Sequence, residues 1–317
     1  MGSYTKIALS EAQQILNLYG LSGLQELTPL SLGISNSNYK LELAGQNLLL
    51  KISNDKGIEQ LKQEQDLLAK LAAEKFPFSL SPLKTLDGNL VYQWENYFGV
   101  IYPFIEGIPP GPADKTCFEI GAGLAALHLV KTPEGIRRQE EVGFGPAEIK
   151  YFVDQDYCPD DFKEIFLQVF PDQLESFRKA PLPSGVIHGD LYYDNTLFQH
   201  DHLAVILDFE QAGVGEFLLD LGISISGTCL EKGRVILPLI DSYMRGYESK
   251  RPLSPLEKEF FNEAICLGLF SISLWRIHRF TLGQLNPLMS DSYKELLYRA
   301  LSFKETLKYQ ESEGNRF

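Results

Sequence analysis

Read for the spacing of apolar and polar positions, the chain has a strand-rich first third and a helix-rich remainder. Ser10 begins a helical pattern in which Gln13 completes a capping box, Ile15, Leu16 and Tyr19 supply an apolar face, and Gly20 is the stop. A polar turn over 31–38 leads into 39–43, which alternates as a half-buried strand does, and 44–47 turns into a second strand over 48–52. The spacing over 57–75 predicts a helix with Ile58, Leu61, Leu68, Leu71 and Ala72 on one stripe and Glu64 in its middle. A carboxylate on a packing face requires a partner, because a lone buried charge is costly. Residues 83–86 and 90–94 flank Asp87-Gly88-Asn89, a hairpin signal, and 98–102 reads as another strand.

A Pro/Gly-rich bend over 103–112 marks a boundary between two lobes, 1–105 and 106–317. Beyond it Asp114 can cap a helix reaching Val130, and 160–179, 234–249, 254–282 and 290–310 carry helical spacing. One β island interrupts them: Val186-Ile187, then 196–198 and 203–209 joined by a His/Asp turn.

Composition narrows the function. The 317 residues are 44% apolar and 22% charged, enough for two lobes with their own cores and no staples. With 29 Lys plus Arg against 42 Asp plus Glu, the net charge of -13 speaks against sequence-independent nucleic-acid binding, although a local cluster can still hold a small phosphorylated ligand. Cys117, Cys158, Cys229 and Cys266 lack the short spacings of zinc or dithiol sites and read as buried hydrophobes in a reducing compartment. The first ten residues lack a signal-peptide pattern, Lys6 breaks a myristoylation motif, and no apolar run is long enough for a membrane span. A cytoplasmic protein without a membrane partner is the expectation.

The densest polar cluster is His188-Gly189-Asp190-Leu191-Tyr192-Tyr193-Asp194-Asn195, with Asp208-Phe209 after the following hairpin. Kinase phosphoryl transfer needs a carboxylate to orient the attacking hydroxyl, an amide oxygen shortly after it for Mg²⁺, and a second carboxylate on the metal. Asp190, Asn195 and Asp208 supply these in order. Singly, each is an ordinary turn former or strand end; together, each after its own apolar run, they point to chemistry.

The pattern His-Gly-Asp-x-x-x-x-Asn followed by Asp-Phe resembles the aminoglycoside phosphotransferase and choline kinase superfamily. Leu124-Ala125-Ala126-Leu127-His128 and Asp220-Leu221 extend the match. Within it the chain is most similar to the bacterial kinase-like homoserine kinases, through Asn36-Ser37-Asn38-Tyr39, Phe104-Ile105-Glu106-Gly107, Gly185-Val186-Ile187-His188 and Arg251-Pro252-Leu253-Ser254. The resemblance implies an α+β, two-lobed protein-kinase-like fold: a small antiparallel β N-lobe and a larger, mainly helical C-lobe. It implies ATP and Mg²⁺, with Asp190 catalytic and the metal on Asn195 and Asp208.

Upstream, the resemblance implies that Lys51 pairs with Glu64 to hold phosphates, that Ser35, Asn36 and Ser37 cover the triphosphate, and that Pro103, Phe104 and Ile105 offer backbone groups to adenine. A solvated strand-end lysine, a plain hairpin turn and a plain strand end are the alternatives. His188 is expected to brace the loop, His128 to be a core histidine, and His200 with His202 to form a solvated turn. The acceptor is a small hydroxylated molecule, homoserine first, with Asp194, Glu210 and Arg276 facing it. Arg276 either clamps a carboxylate or pairs with an internal acid. Homoserine kinases typically carry Ala at Gly189, Phe-Pro at Tyr192-Tyr193, Tyr at Glu210 and no lysine at Lys51. Choline, ethanolamine or an aminoglycoside therefore stays open, as does a kinase-like binding protein without catalysis.

Overall fold

The alternation over 39–43 and 48–52 becomes the middle of a five-stranded antiparallel sheet in the computed structural model, which describes residues 4–30, 36–54, 56–138, 145–170, 173–284 and 286–312. Among them the chain forms two compact units, Met1–Gly107 and Ile108–Phe317. The first holds α1 (Leu9–Asn17), β1 (Leu24–Leu30), β2 (Asn36–Leu43), β3 (Gln46–Ser53), α2 (Ile58–Ala73), β4 (Tyr92–Trp94) and β5 (Tyr97–Pro103), with sheet order β1-β2-β3-β5-β4.

Register assigns the two faces of this sheet. Tyr39 stands opposite Leu50 and Leu41 opposite Leu48, and these side chains pack on Ala12, Ile15 and Leu16 of α1. Each such buried Leu or Ile contributes about 1.5–3 kcal/mol. The other face carries Asn38 opposite Lys51 and Leu49 opposite Tyr102, and Tyr102 Oη donates to Gln65 Oε1 of α2 at 2.6 Å.

Several local expectations are corrected. Helix α1 is entered at Ala8, whose N–H donates to Glu11 Oε2 at 2.6 Å, not at Ser10 with Gln13. The turn at Asp87-Gly88-Asn89 forms, with Thr85 N donating to Asn89 O at 2.9 Å, but residues 83–86 make no hairpin strand, because Leu83 N donates to Ile101 O and Leu86 N to Leu18 O, each at 2.8 Å. The N–H groups of Leu83 and Leu86 go to separate partners, and β4 begins only at Tyr92 and pairs with β5. Strand β1 was missed; it carries Pro29 within the run, tolerable because it is an edge strand.

The second unit comprises α3 (Asp114–His128), α4 (Pro146–Val153), α5 (Asp160–Val169), α6 (Gln173–Lys179), β6 (Ser184–Ile187), β7 (Thr196–Gln199), β8 (His202–Ile206), β9 (Gly213–Glu216), α7 (Phe217–Thr228), β10 (Leu230–Glu231), β11 (Arg234–Val235), α8 (Leu237–Glu248), α9 (Pro255–Glu259), α10 (Phe261–Arg276) and α11 (Ser292–Ser312). The predicted β island is present as β6, β7 and β8; β9, unforeseen, pairs with β6, and β7 with β8. Helix α7 packs closely on α10, where a Cβ on Gly222 would lie 2.0 Å from Ala264 O. Helix α7 in turn holds the loop after β6 through Asp220, which accepts from His188 N and Gly189 N.

Candidate active site

In the second unit the chain leaves β6 at Ile187 and bends at Gly189, where φ is +78° and a Cβ would stand 2.6 Å from Gln211 O. Only glycine adopts that backbone without strain. Asp190 follows, then a 3₁₀ turn over Tyr193–Asn195 closed by Asn195 N donating to Tyr192 O at 3.0 Å. Asn195 Nδ2 donates to Asp190 O at 2.7 Å and lies 3.4 Å from Asp190 Oδ2. Leu207 N donates to Asn195 O at 2.8 Å, tying β8 to the loop just before Asp208, which takes a left-handed conformation with φ 60° and ψ 63°. Asp190 and Asn195 are thus hydrogen-bonded directly, and Asp208 follows the residue that bonds to Asn195.

Its electrostatics are one-sided. Burial, and then the charges of Asp208, Glu210 and Asp194, hold the Asp190 carboxyl well above the usual carboxylate range, against the bond from Asn195. Asp194 is also pushed up, by partial burial first and by Asp208, while backbone N–H groups at Asp194 and Asn195 oppose the shift. Crowded oxygen donors of this kind suit a hard cation. Among the described residues no three His, Cys, Asp or Glu side chains form a metal cage. Mg²⁺ takes one or two hard oxygen ligands from a protein and completes its shell with phosphates and water. With Nδ2 engaged on Asp190 O, the Asn195 amide is oriented, and its oxygen and the Asp208 carboxylate are the donors that would hold it.

The loop is held by groups with no reactive role. Asp220 of α7 is fully buried; its Oδ2 accepts from His188 N at 2.8 Å and His128 Nε2 at 3.0 Å, and its Oδ1 accepts from Gly189 N at 2.8 Å. Burial alone would raise this carboxyl, but the bonds from His128 and His188 outweigh it and leave it below the ordinary value. His128 is lowered by burial, with Asp220 opposing, and its Nδ1 accepts from Tyr247 Oη at 2.6 Å. His188 Nε2 donates to Leu207 O at 2.8 Å, and Nδ1 accepts from Asp190 N at 3.2 Å. Arg137 Nε donates to Ala212 O at 2.9 Å, and another guanidinium nitrogen donates to Glu210 O, pinning the segment after Asp208. His128 and His188 occupy the bracing positions expected of them. Asp220 and Arg137 were missed; the Asp220-Leu221 match was the available signal for the first.

The acceptor candidates are spread. Tyr192 lies against Gly227 of α7, where a Cβ would come within 1.7 Å of its ring, and its hydroxyl is buried. Burial raises that phenol foremost; Asp190 adds to the shift and Arg276 counters it, so Arg276 is an electrostatic neighbour of the loop. The guanidinium itself donates to Ser292 O at 2.8 Å and stands 4.0 Å from Glu295. These contacts favour the intramolecular-acid role anticipated as its alternative. Glu210 is placed by its backbone carbonyl, through Arg137.

In the first unit, Glu64 is 4% exposed and its carboxylate pairs with Lys56 Nζ at 2.8 Å. The demand for a cation was read correctly; Lys56, just before α2, was missed in favour of Lys51. Lys51 sits half-buried on the same sheet face as Asn38 and Tyr102. Ser37 is on the opposite face, fully buried, its hydroxyl accepting from Thr5 N at 2.7 Å and Asn54 Nδ2 at 2.9 Å, so its expected place over a triphosphate is corrected. Asn36 stays on the Lys51 face with its Oδ1 buried and without a partner among the described residues. Ser35 lies outside the described residues. Pro103 ends β5, and Phe104 N donates to Asn47 O at 3.0 Å, so that donor is not available to adenine; Ile105 follows it.

The first unit's antiparallel sheet with one helix after β3, and the second unit's helical body with a catalytic-type loop after β6, define a protein of the kinase-like fold. A microcompartment-associated aminopropanol kinase superposes with a TM-score of 0.71 at 18% identity, covering 98% of this chain and 99% of that one. An amicoumacin kinase solved with AMP-PNP and Ca²⁺ gives a TM-score of 0.67 at 16% identity over 91% and 92% of the two chains. The profile of the phosphotransferase enzyme family (APH) matches residues 26–253, and the chain belongs to that family. A homoserine kinase from Agrobacterium fabrum is 29% identical over 265 residues, 82% of each chain. The protein is a small-molecule kinase acting on a hydroxyl group.

Proposed function

We propose that the protein transfers the γ-phosphoryl group of Mg-ATP to the hydroxyl of homoserine. The observation that carries the kinase reading is the Asp190, Asn195 and Asp208 constellation, bonded through Asn195 to both the Asp190 backbone and the β7–β8 pair. Bound at Asn195 and Asp208, Mg²⁺ would neutralise phosphate charge. Asp190 accepts a hydrogen bond from the acceptor hydroxyl and directs its oxygen in line at phosphorus, so that positioning supplies most of the acceleration. Lys51 takes phosphate oxygens, Asn36 contributes a polar group on the same sheet face, and Ile105 offers backbone to the base.

Homoserine is supported by the homoserine kinase name of relatives at 27–29% identity over 82–89% of the chain. A second reading, a choline, ethanolamine or aminoglycoside acceptor, is favoured by the carboxylates Asp194 and Glu210 beside Asp190. A coupled ADP assay over homoserine, choline, ethanolamine and several aminoglycosides decides between them. Turnover of homoserine alone supports the proposal; turnover of choline without homoserine overturns the acceptor. No thermal shift with Mg-ATP together with no turnover would leave a kinase-like binding protein. No helix among the described residues is long and apolar enough to cross a membrane.

A further inference from the structure

A cavity of about 460 Å³ opens on the second unit, lined by Ala147, Glu148, Tyr151, Phe152, Tyr157, Leu274 and His278. Its walls are mostly aromatic. Phe152 is the buried centre, with Tyr157 at 5.7 Å and 62° and His278 at 5.8 Å and 51° between ring planes. Tyr151 and Tyr157 are 66% and 54% exposed, which leaves two large rings open to solvent beside one hollow. Glu148 in α4 is half-buried and forms no ion pair among the described residues. Among the described residues no Lys or Arg lines the cavity. Burial lowers His278, so its ring is neutral near pH 7 and brings no cation either.

The helix supplying one wall changes pitch at this place. Helix α10 gives way to a π-helix over Ile277–Leu282, a distortion that recurs at functional sites. Leu274 and His278, one turn apart, border the cavity, whereas Arg276 lies between them on the far side of the helix, bonded to Ser292 at the start of α11. The hollow is therefore on another face of α10 from the Arg276 and Tyr192 neighbourhood.

We propose that this cavity binds a small organic ammonium ion with apolar substituents, the rings of Tyr151, Tyr157 and Phe152 facing its positive charge and Glu148 supplying the counter-charge. Ring faces attract a desolvated cation, and alkyl groups on nitrogen spread its charge and add apolar contact. An anion would meet Glu148 without a compensating cation, and a purely apolar ligand would bury that carboxylate unpaired. A bare metal ion would find a single carboxylate among rings, no coordination set. The site goes beyond the phosphoryl-transfer reading and does not require it.

Tetramethylammonium chloride is the probe, because it has no hydroxyl to phosphorylate; tert-butanol is its neutral counterpart, and sodium chloride the ionic-strength control. Ligand-detected NMR titrations on the full chain should show saturable binding of tetramethylammonium and none of tert-butanol. Glu148→Gln and Tyr151→Ala should each weaken it by about tenfold, with homoserine and ATP kinetics unchanged. Asp190→Asn should bind the probe as the unaltered chain does. The proposal is overturned if binding does not saturate, if tert-butanol competes equally, or if Glu148→Gln and Tyr151→Ala bind normally. It is also overturned if Asp190→Asn loses the probe while Tyr151→Ala keeps it, because the cation would then occupy the acceptor site.

Discussion

Asp220→Asn isolates what holds the Asp190 loop, since it preserves volume while removing a charge and one acceptor. The carboxylate accepts from Gly189 N, His188 N and His128 Nε2; Asp220, His188 and His128 are buried and Gly189 is half-buried. An amide can place its single oxygen where Oδ2 now takes two of these bonds, which turns its NH₂ group on the Gly189 N–H. One bond is replaced by a donor facing a donor, and the other two lose their charge assistance. Hydrogen bonds to a charged group are worth about 1.5–3 kcal/mol, and breaking a buried charged network costs about 3–5 kcal/mol. At roughly 2–4 °C per kcal/mol for a unit of this size, the apparent Tm should fall by roughly 6–20 °C. Turnover should fall further than the folded fraction, because Asp190 hangs directly on Gly189 and a displacement of about 1 Å can cost about 100-fold. Differential scanning fluorimetry at pH 7.5, paired with ADP release below the new Tm, reads both. His128→Gln in the same background should be markedly non-additive, because the two side chains share a bond. A Tm within about 2 °C of the unaltered chain, with full turnover, would refute the argument that this carboxylate organises the loop.

Asp190→Asn should reduce kcat by about 10²–10⁴-fold while leaving Tm unchanged or higher, since it removes a charge pressed by Asp208, Glu210 and Asp194; fluorimetry beside the ADP assay checks both. Gly189→Ala, the residue homoserine kinases typically carry there, should destabilise by about 1–3 kcal/mol, because φ is +78° and Gln211 O blocks a Cβ at 2.6 Å; urea melts measure it. His128 is lowered from 6.5 in the fold, so unfolding lets it take up a proton, and stability should be full above that value and decline as pH falls below it. Asp220, also lowered, adds a loss at more acidic pH, and in urea melts His128→Gln should reduce the decline that begins just below 6.5 and leave the share of His278, which burial lowers too.

What was legible along the chain were the groups whose chemistry restricts residue type and spacing. Asp190, Asn195 and Asp208 declared themselves because a carboxylate, an amide and a second carboxylate after apolar runs have few other reasons to occur in that order. Glu64 declared a need for a cation, yet apolar periodicity cannot say which lysine meets it. The choice between Lys51 and Lys56 rests on where Lys56 stands at the entry to α2, and no hydrophobic pattern encodes that position. Ser37 shows the same limit at higher resolution: its residue type suited a phosphate loop, but β2 register turns it to the face opposite Lys51, into bonds with Thr5 and Asn54.

Asp220 and Arg137 illustrate a deeper reason. They act on backbone N–H and C=O groups, which every sequence presents, so nothing in residues 188–189 or 210–212 advertises the partner waiting elsewhere in the chain. Asp220 also runs against composition logic: it is a carboxylate in the apolar run of α7, where a lone charge would be intolerable. Its burial is tolerable because three donors converge on it, two of them the loop's own backbone. The apparent defect in that helix is thus the attachment point for the loop carrying Asp190. A buried acid on the apolar face of a helix, as with Glu64 in α2, therefore serves as a sequence signal that some cation or backbone turn is held there, and identifying which one requires the fold.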